Sequence, residues 1–62
     1  MNNDAPTFEI GTYAWDTTRD DWVFIVDVVN GLVYEWFVCR TSEYFYCLVP
    51  EEDLEHREIK RA

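Results

Sequence analysis

Two apolar runs joined by Asn-Gly constrain this chain more than any other feature. Residues 22–29 (WVFIVDVV) and 32–39 (LVYEWFVC) are dominated by β-branched and aromatic side chains, which suit a pleated, packed strand. Asn30-Gly31 stands directly between them. Both residues tolerate the positive φ of a type I′ turn, so the spacing predicts a two-residue hairpin.

The same alternation of apolar runs and turn signals continues on both sides. Residues 8–15 (FEIGTYAW) form a first strand with Phe8, Ile10, Thr12 and Ala14 on one face. Gly11 inside it marks a bulge or a close backbone approach. Residues 16–21 (DTTRDD) make a polar loop, and residues 40–43 (RTSE) a short turn. Residues 44–49 (YFYCLV) form a fourth strand, ended by Pro50, which has no N–H for a ladder. Pro50-Glu51-Glu52-Asp53-Leu54 suits one 3-10 or helical turn, with acids at its positive end. Residues 55–62 either close the sheet as a short fifth strand or extend as a helix. The polar residues 1–7 (MNNDAPT) read as a flexible leader, which leaves residues 8–62 as a single domain. A chain of 62 residues has room for one core, and three Trp, four Tyr and four Phe supply its apolar area.

This order of features resembles that of small bacterial and phage SH3-like β-barrel proteins. The likeness rests on Val26-Asp27-Val28-Val29-Asn30-Gly31, on the aromatic run 44–49 and on the turn that begins at Pro50. It covers residues 8–55. It implies an all-β fold: a five-stranded antiparallel SH3-like small barrel with a 3-10 turn before the last strand. Functions vary widely across that fold, so the likeness implies no activity.

Thirteen acids against five bases give a net charge of -8. Such a chain repels phosphate backbones, so nucleic acid is not expected as a direct ligand. Basic surfaces, cations and neutral ligands remain. Solubility in a salt-adapted cell is the plainer account of the same charge. No basic start leads into an apolar stretch, and no run approaches the ~18 apolar residues of a membrane span. The expectation is a cytoplasmic chain, away from the membrane, with both cysteines reduced.

Little in the sequence points to catalysis. His56 is the lone histidine and lies in a charged stretch, Ser42 lies in a turn, and two glycines make no phosphate loop. The chain is expected not to be an enzyme. Cys39, Cys47 and His56 lie eight and nine residues apart, without the close pair of a structural zinc site. Residues 16–21 lack the spacing of a calcium loop. No metal and no cofactor are expected. Cys39 and Cys47 sit symmetrically about Glu43, so a hairpin centred there sets them face to face, as packed thiols rather than a disulfide.

The aromatic residues are in excess of what one small interior needs. Both faces of the second and third runs carry large apolar groups, and a barrel this small has one inside. For the third run the inward set is Leu32, Tyr34, Trp36 and Val38 or else Val33, Glu35, Phe37 and Cys39. Trp15, Trp22, Tyr34, Trp36, Tyr44 and Tyr46 are therefore candidates for an exposed aromatic patch. Asp16, Asp20, Asp21, Glu51, Glu52 and Asp53 are candidates for its acidic rim. Such a patch anchors a protein partner, and its rim steers that partner's basic surface. The plainer account is that these rings cap a core too small to hide them. A second functional reading is a nucleic-acid mimic, presenting carboxylates where a DNA- or RNA-binding protein expects phosphates. A third is a subunit that buries its aromatics in a homodimer.

Overall fold

A computed structural model describes residues 8–33 and 35–57. The leader at 1–7, Tyr34 and the end at 58–62 lie outside the described residues, and so do the readings made for them. The strands are β1 (Tyr13–Asp16), β2 (Asp21–Asn30), β3 (Glu35–Arg40), β4 (Tyr46–Pro50) and β5 (Leu54–Glu55), with a 3-10 turn, Glu51–Asp53, before the last. They form one antiparallel sheet in the order β4-β3-β2-β1-β5, curled into a half-barrel.

The inner face of the curl is apolar and small. Ala14, Val23, Ile25, Phe37, Cys39, Val49 and Leu54 are buried there, each on a strand, and Phe8 joins them from outside the sheet. Phe8 meets Phe37 edge-on at 5.5 Å, and His56 stacks on its other side at 4.2 Å. Each large side chain buried in this way contributes roughly 1.5–3 kcal/mol.

β2 carries an irregularity that governs the rest. Ile25 pairs with Cys39 and Asp27 with Val38, so one extra residue, Val26, bulges from the ladder. A bulge bends its strand and raises the local twist. It also shifts the alternation: Val23 and Ile25 point inward before it, and Val28 packs on the core after it. Trp22, Phe24, Val26 and Val28 therefore do not share one face.

The expected two-residue turn at Asn30-Gly31 is not formed. Asn30 is the last residue of β2 and pairs with Glu35, so Asn30 belongs to the ladder and not to a two-residue turn. A turn at 30–31 would set Phe37 opposite Phe24. The observed register sets Phe37 opposite Val28 and Cys39 opposite Ile25, all on the inner face. A slip of one residue exchanges a strand's two faces, so burial of Phe37 and Cys39 outweighs the local turn preference. The third strand thus runs Glu35–Arg40, not 32–39, and its inward set is Phe37 and Cys39.

The first strand is also shorter than expected. Residues 9–12 turn, and Ile10 is exposed. Gly11 has φ +90 and donates its N–H to Ile25 O at 2.8 Å; a side chain there would meet open space, so glycine serves the positive φ of the turn and not the bulge or close backbone approach expected of it. The fourth strand begins at Tyr46. Pro50 leads directly into the 3-10 turn, as its missing N–H requires. Cys39 and Cys47 face each other across β3 and β4 as free thiols.

Candidate functional site

Alternation along these strands gives the sheet a second apolar face, turned outward. β1 contributes Tyr13 and Trp15, and β2 contributes Trp22 and Phe24, paired as Tyr13↔Phe24 and Trp15↔Trp22. The rings interlock edge-to-face, with centroids 5.0 Å and 5.4 Å apart, a geometry worth about 0.5–1.5 kcal/mol per pair beyond area. β3 adds Trp36, Val38 and Arg40, and β4 adds Tyr46 and Leu48. Tyr13, Tyr46 and Leu48 are more than half exposed.

Arg40 sits within this face. It pairs in register with Phe24 on one side and Tyr46 on the other. Its guanidinium lies 4.8 Å from the Phe24 ring and 5.3 Å from the Tyr44 ring. Among the described residues Arg40 forms no ion pair, in a chain of thirteen acids. Stacked this way, a guanidinium keeps its N–H edges free for a carbonyl or carboxylate. Tyr13, Trp22, Phe24, Arg40, Thr41, Ser42 and Tyr44 together line a depression of about 160 Å³.

The β3–β4 loop holds Tyr44 over Arg40 at a conformational cost. Tyr44 N–H donates to Thr41 O at 2.9 Å, and Thr41 N–H to Phe45 O at 2.8 Å. Thr41 Oγ1 accepts from the N–H groups of Glu43 and Phe45. This is the three-residue hairpin in which the last loop residue is left-handed, a place glycine favours. Tyr44 occupies it with φ 67. A left-handed non-glycine residue costs roughly 1–2 kcal/mol.

The acids of the β1–β2 loop and the 3-10 turn, with Glu35, form a surface ridge, while Asp16 is fully buried. Its Oδ1 accepts from Thr18 N–H at 2.9 Å, Thr18 Oγ1 at 2.7 Å and Arg19 N–H at 3.3 Å. Arg19 Nε stands 3.3 Å from Oδ2 as an ion pair. Asp16 thus organises the β1–β2 loop and takes no place on the rim expected for it. Asp20 and Asp21 are exposed at that loop. Thr17 donates through N–H (2.9 Å) and Oγ1 (3.0 Å) to Asp53 O, tying the loop to the 3-10 turn. Glu35 N–H donates to Glu51 Oε1 at 3.5 Å. The β1–β2 loop with Asp20 and Asp21 therefore adjoins the 3-10 turn with Glu51, Glu52 and Asp53, and that turn adjoins Glu35. Ser42 Oγ donates to Asp21 Oδ2 at 3.0 Å, which joins the ridge to the aromatic depression.

Of the aromatic candidates, the structure brings Trp15, Trp22, Trp36, Tyr44 and Tyr46 to this side of the sheet; Tyr34 lies outside the described residues. Trp36 stands apart, paired with Val29 and Pro50 at the far end. Arg57 covers Trp15 at 4.1 Å and bonds Glu55. Sequence reasoning missed Tyr13, Phe24 and Arg40. The symmetry of Cys39 and Cys47 about Glu43 was a usable signal for Arg40, because it already sets Arg40 opposite Tyr46.

The two thiols differ. Cys39 is fully buried and Cys47 half-buried. Burial pushes the Cys39 thiol up to about 12; Cys47 and Asp16 nearby add to the rise and Arg19 opposes it. A thiol so shifted stays protonated and unreactive at neutral pH. Among the described residues no three His, Cys, Asp or Glu side chains are grouped to hold a metal ion, and no helix is long and apolar enough to cross a membrane.

No protein-family model, curated protein or solved structure matches this chain.

Proposed function

We propose that this chain is a non-enzymatic binding module of the SH3-like barrel kind, which takes a basic protein partner on the outer aromatic face. The strand order and the 3-10 turn before β5 support the barrel reading. One observation carries the function: six aromatic rings and Arg40 share a sheet face that no strand or helix among the described residues covers, with an acidic ridge at its border. Exposed apolar patches rimmed by charge mark interaction sites. The rings anchor the partner, Arg40 donates to its carbonyl oxygens, and Asp20, Asp21 and the 3-10 acids meet its cations.

Capture from a host lysate on immobilised wild type and on the double variant Trp22→Ala/Phe24→Ala tests this, with folding of both followed by circular dichroism. The expected result is a basic protein held at low salt, released at high salt and absent from the folded variant. Equal capture by the variant, or capture indifferent to salt, overturns the reading. A captured nucleic-acid-binding protein that duplex DNA displaces would identify the acidic ridge as a nucleic-acid mimic instead.

A further inference from the structure

β4 ends the sheet, and no strand among the described residues pairs with its outer edge. The loop before it settles which backbone groups that edge offers. Thr41 N–H bonds Phe45 O, and hydrogen-bonding pairs recur every second residue in an antiparallel ladder. Cys39↔Cys47 and Phe37↔Val49 are therefore hydrogen-bonding pairs. The N–H and C=O groups of Tyr46 and Leu48 point the other way, to the open edge. Pro50, without an N–H, takes the next outward position.

Natural edge strands are blunted by Lys, inward charge, a bulge or Pro. Here Pro50 blunts only the last position: residues 44–50 (YFYCLVP) contain no charge, and Tyr44, Phe45, Tyr46 and Leu48 are all exposed.

We propose that β4 pairs antiparallel with β4 of a second copy, about a two-fold axis at Cys47, with Tyr46 opposite Leu48 of the second copy. Backbone chemistry selects this register. It satisfies the outward N–H and C=O of both Tyr46 and Leu48 on each copy. Centring on Leu48 would set Tyr46 opposite Pro50, which has no N–H. Centring on Tyr46 would set Leu48 opposite Tyr44, whose N–H is already bound to Thr41 O. Charge selects a second copy through this segment, since a chain of net charge -8 touches itself at least cost where it carries no acid. Glu43 and Glu51 flank the paired strands at each end, so added salt tightens the dimer. The outer aromatic faces of the two copies become one continuous surface, and the dimer does not depend on what that surface binds.

The register places Cys47 opposite its own copy in a non-hydrogen-bonded pair. Cα atoms there lie about 4.5 Å apart, within disulfide reach. Sedimentation velocity from micromolar to submillimolar protein is the first measurement. The expected result is a species of twice the 7.5 kDa chain that tightens as salt is added. Leu48→Lys, a change at an exposed side chain, weakens it about tenfold or more. Diamide, which takes the two thiol hydrogens and becomes the hydrazine, links Cys47 to Cys47 in a folded Cys39→Ala variant. A monomer at every concentration overturns the proposal. So does a dimer that survives Leu48→Lys, forms no Cys47 link and falls apart in Trp22→Arg, which would put the second copy on the aromatic face.

Discussion

The two faces of this sheet are both apolar, yet they are built from different residues. Inside are Ala14, Val23, Ile25, Cys39 and Val49 with two phenylalanines; outside are three tryptophans, Tyr13, Phe24 and Tyr46. The inner face of a strongly curled sheet has little volume, so compact side chains fill it. Large rings fit where the strands splay apart. Hydrophobicity alone therefore does not say which way a strand faces in so small a domain. Side-chain size and the presence of a polar tip say more, since Trp and Tyr keep a donor that wants a partner or water.

Neighbouring residues on opposite faces give the sharpest contrast. Phe37→Ala should cost about 3–5 kcal/mol, enough to unfold most of a domain this small. Trp36→Ala, one residue away, should cost about 1 kcal/mol, in the range of ordinary single substitutions. Urea midpoints measure both, and equal losses would mean the outer face is a second core. The cysteines draw the same line with a smaller effect. Folded Cys39 keeps its proton where the unfolded thiol, near 9.0, releases it. Its contribution is whole below about pH 9 and is lost as pH rises toward about 12. The stability difference between wild type and Cys39→Ala should narrow over that window, while tyrosine ionisation, common to both, cancels. Native-state alkylation should modify Cys47 well ahead of Cys39. The smallest effect has the opposite sign. Tyr44→Gly removes a left-handed tyrosine and should stabilise by up to about 1 kcal/mol, while weakening partner capture. A stabilised variant that binds as before would show that Tyr44 shapes the loop and nothing else.

Much of the fold was legible because strands, turns and a proline stop leave local marks. The 3-10 turn after Pro50 and the facing cysteines follow from such marks alone. The Asn30-Gly31 turn does not form because a bulge at Val26, invisible to local pattern, leaves Val28 paired with Phe37 and Asn30 with Glu35. Asp16 was misplaced for a related reason. Its sequence neighbours make it look like one more loop acid, and only the fold shows its carboxylate turned inward to hold Thr18 and Arg19. The aromatic face was foreseen as a surplus of rings, but its members Tyr13, Phe24 and Arg40 depend on register.

The bulge at Val26 also bears on how this chain can change over time. Within the regularly paired stretches of β2 on either side of the bulge, losing one residue would swap interior for exterior over part of the strand. Losing Val26 itself would leave Ile25 and Val28 facing inward and Phe24 and Asp27 outward, with the ladder made regular. Asp27 can be lost in place of Val26 with the same result, so the bulge is the one place where the strand can drift by one residue while inside stays inside. What drifts with it is curvature: relatives of this protein lacking that residue should carry the same two faces on a flatter sheet.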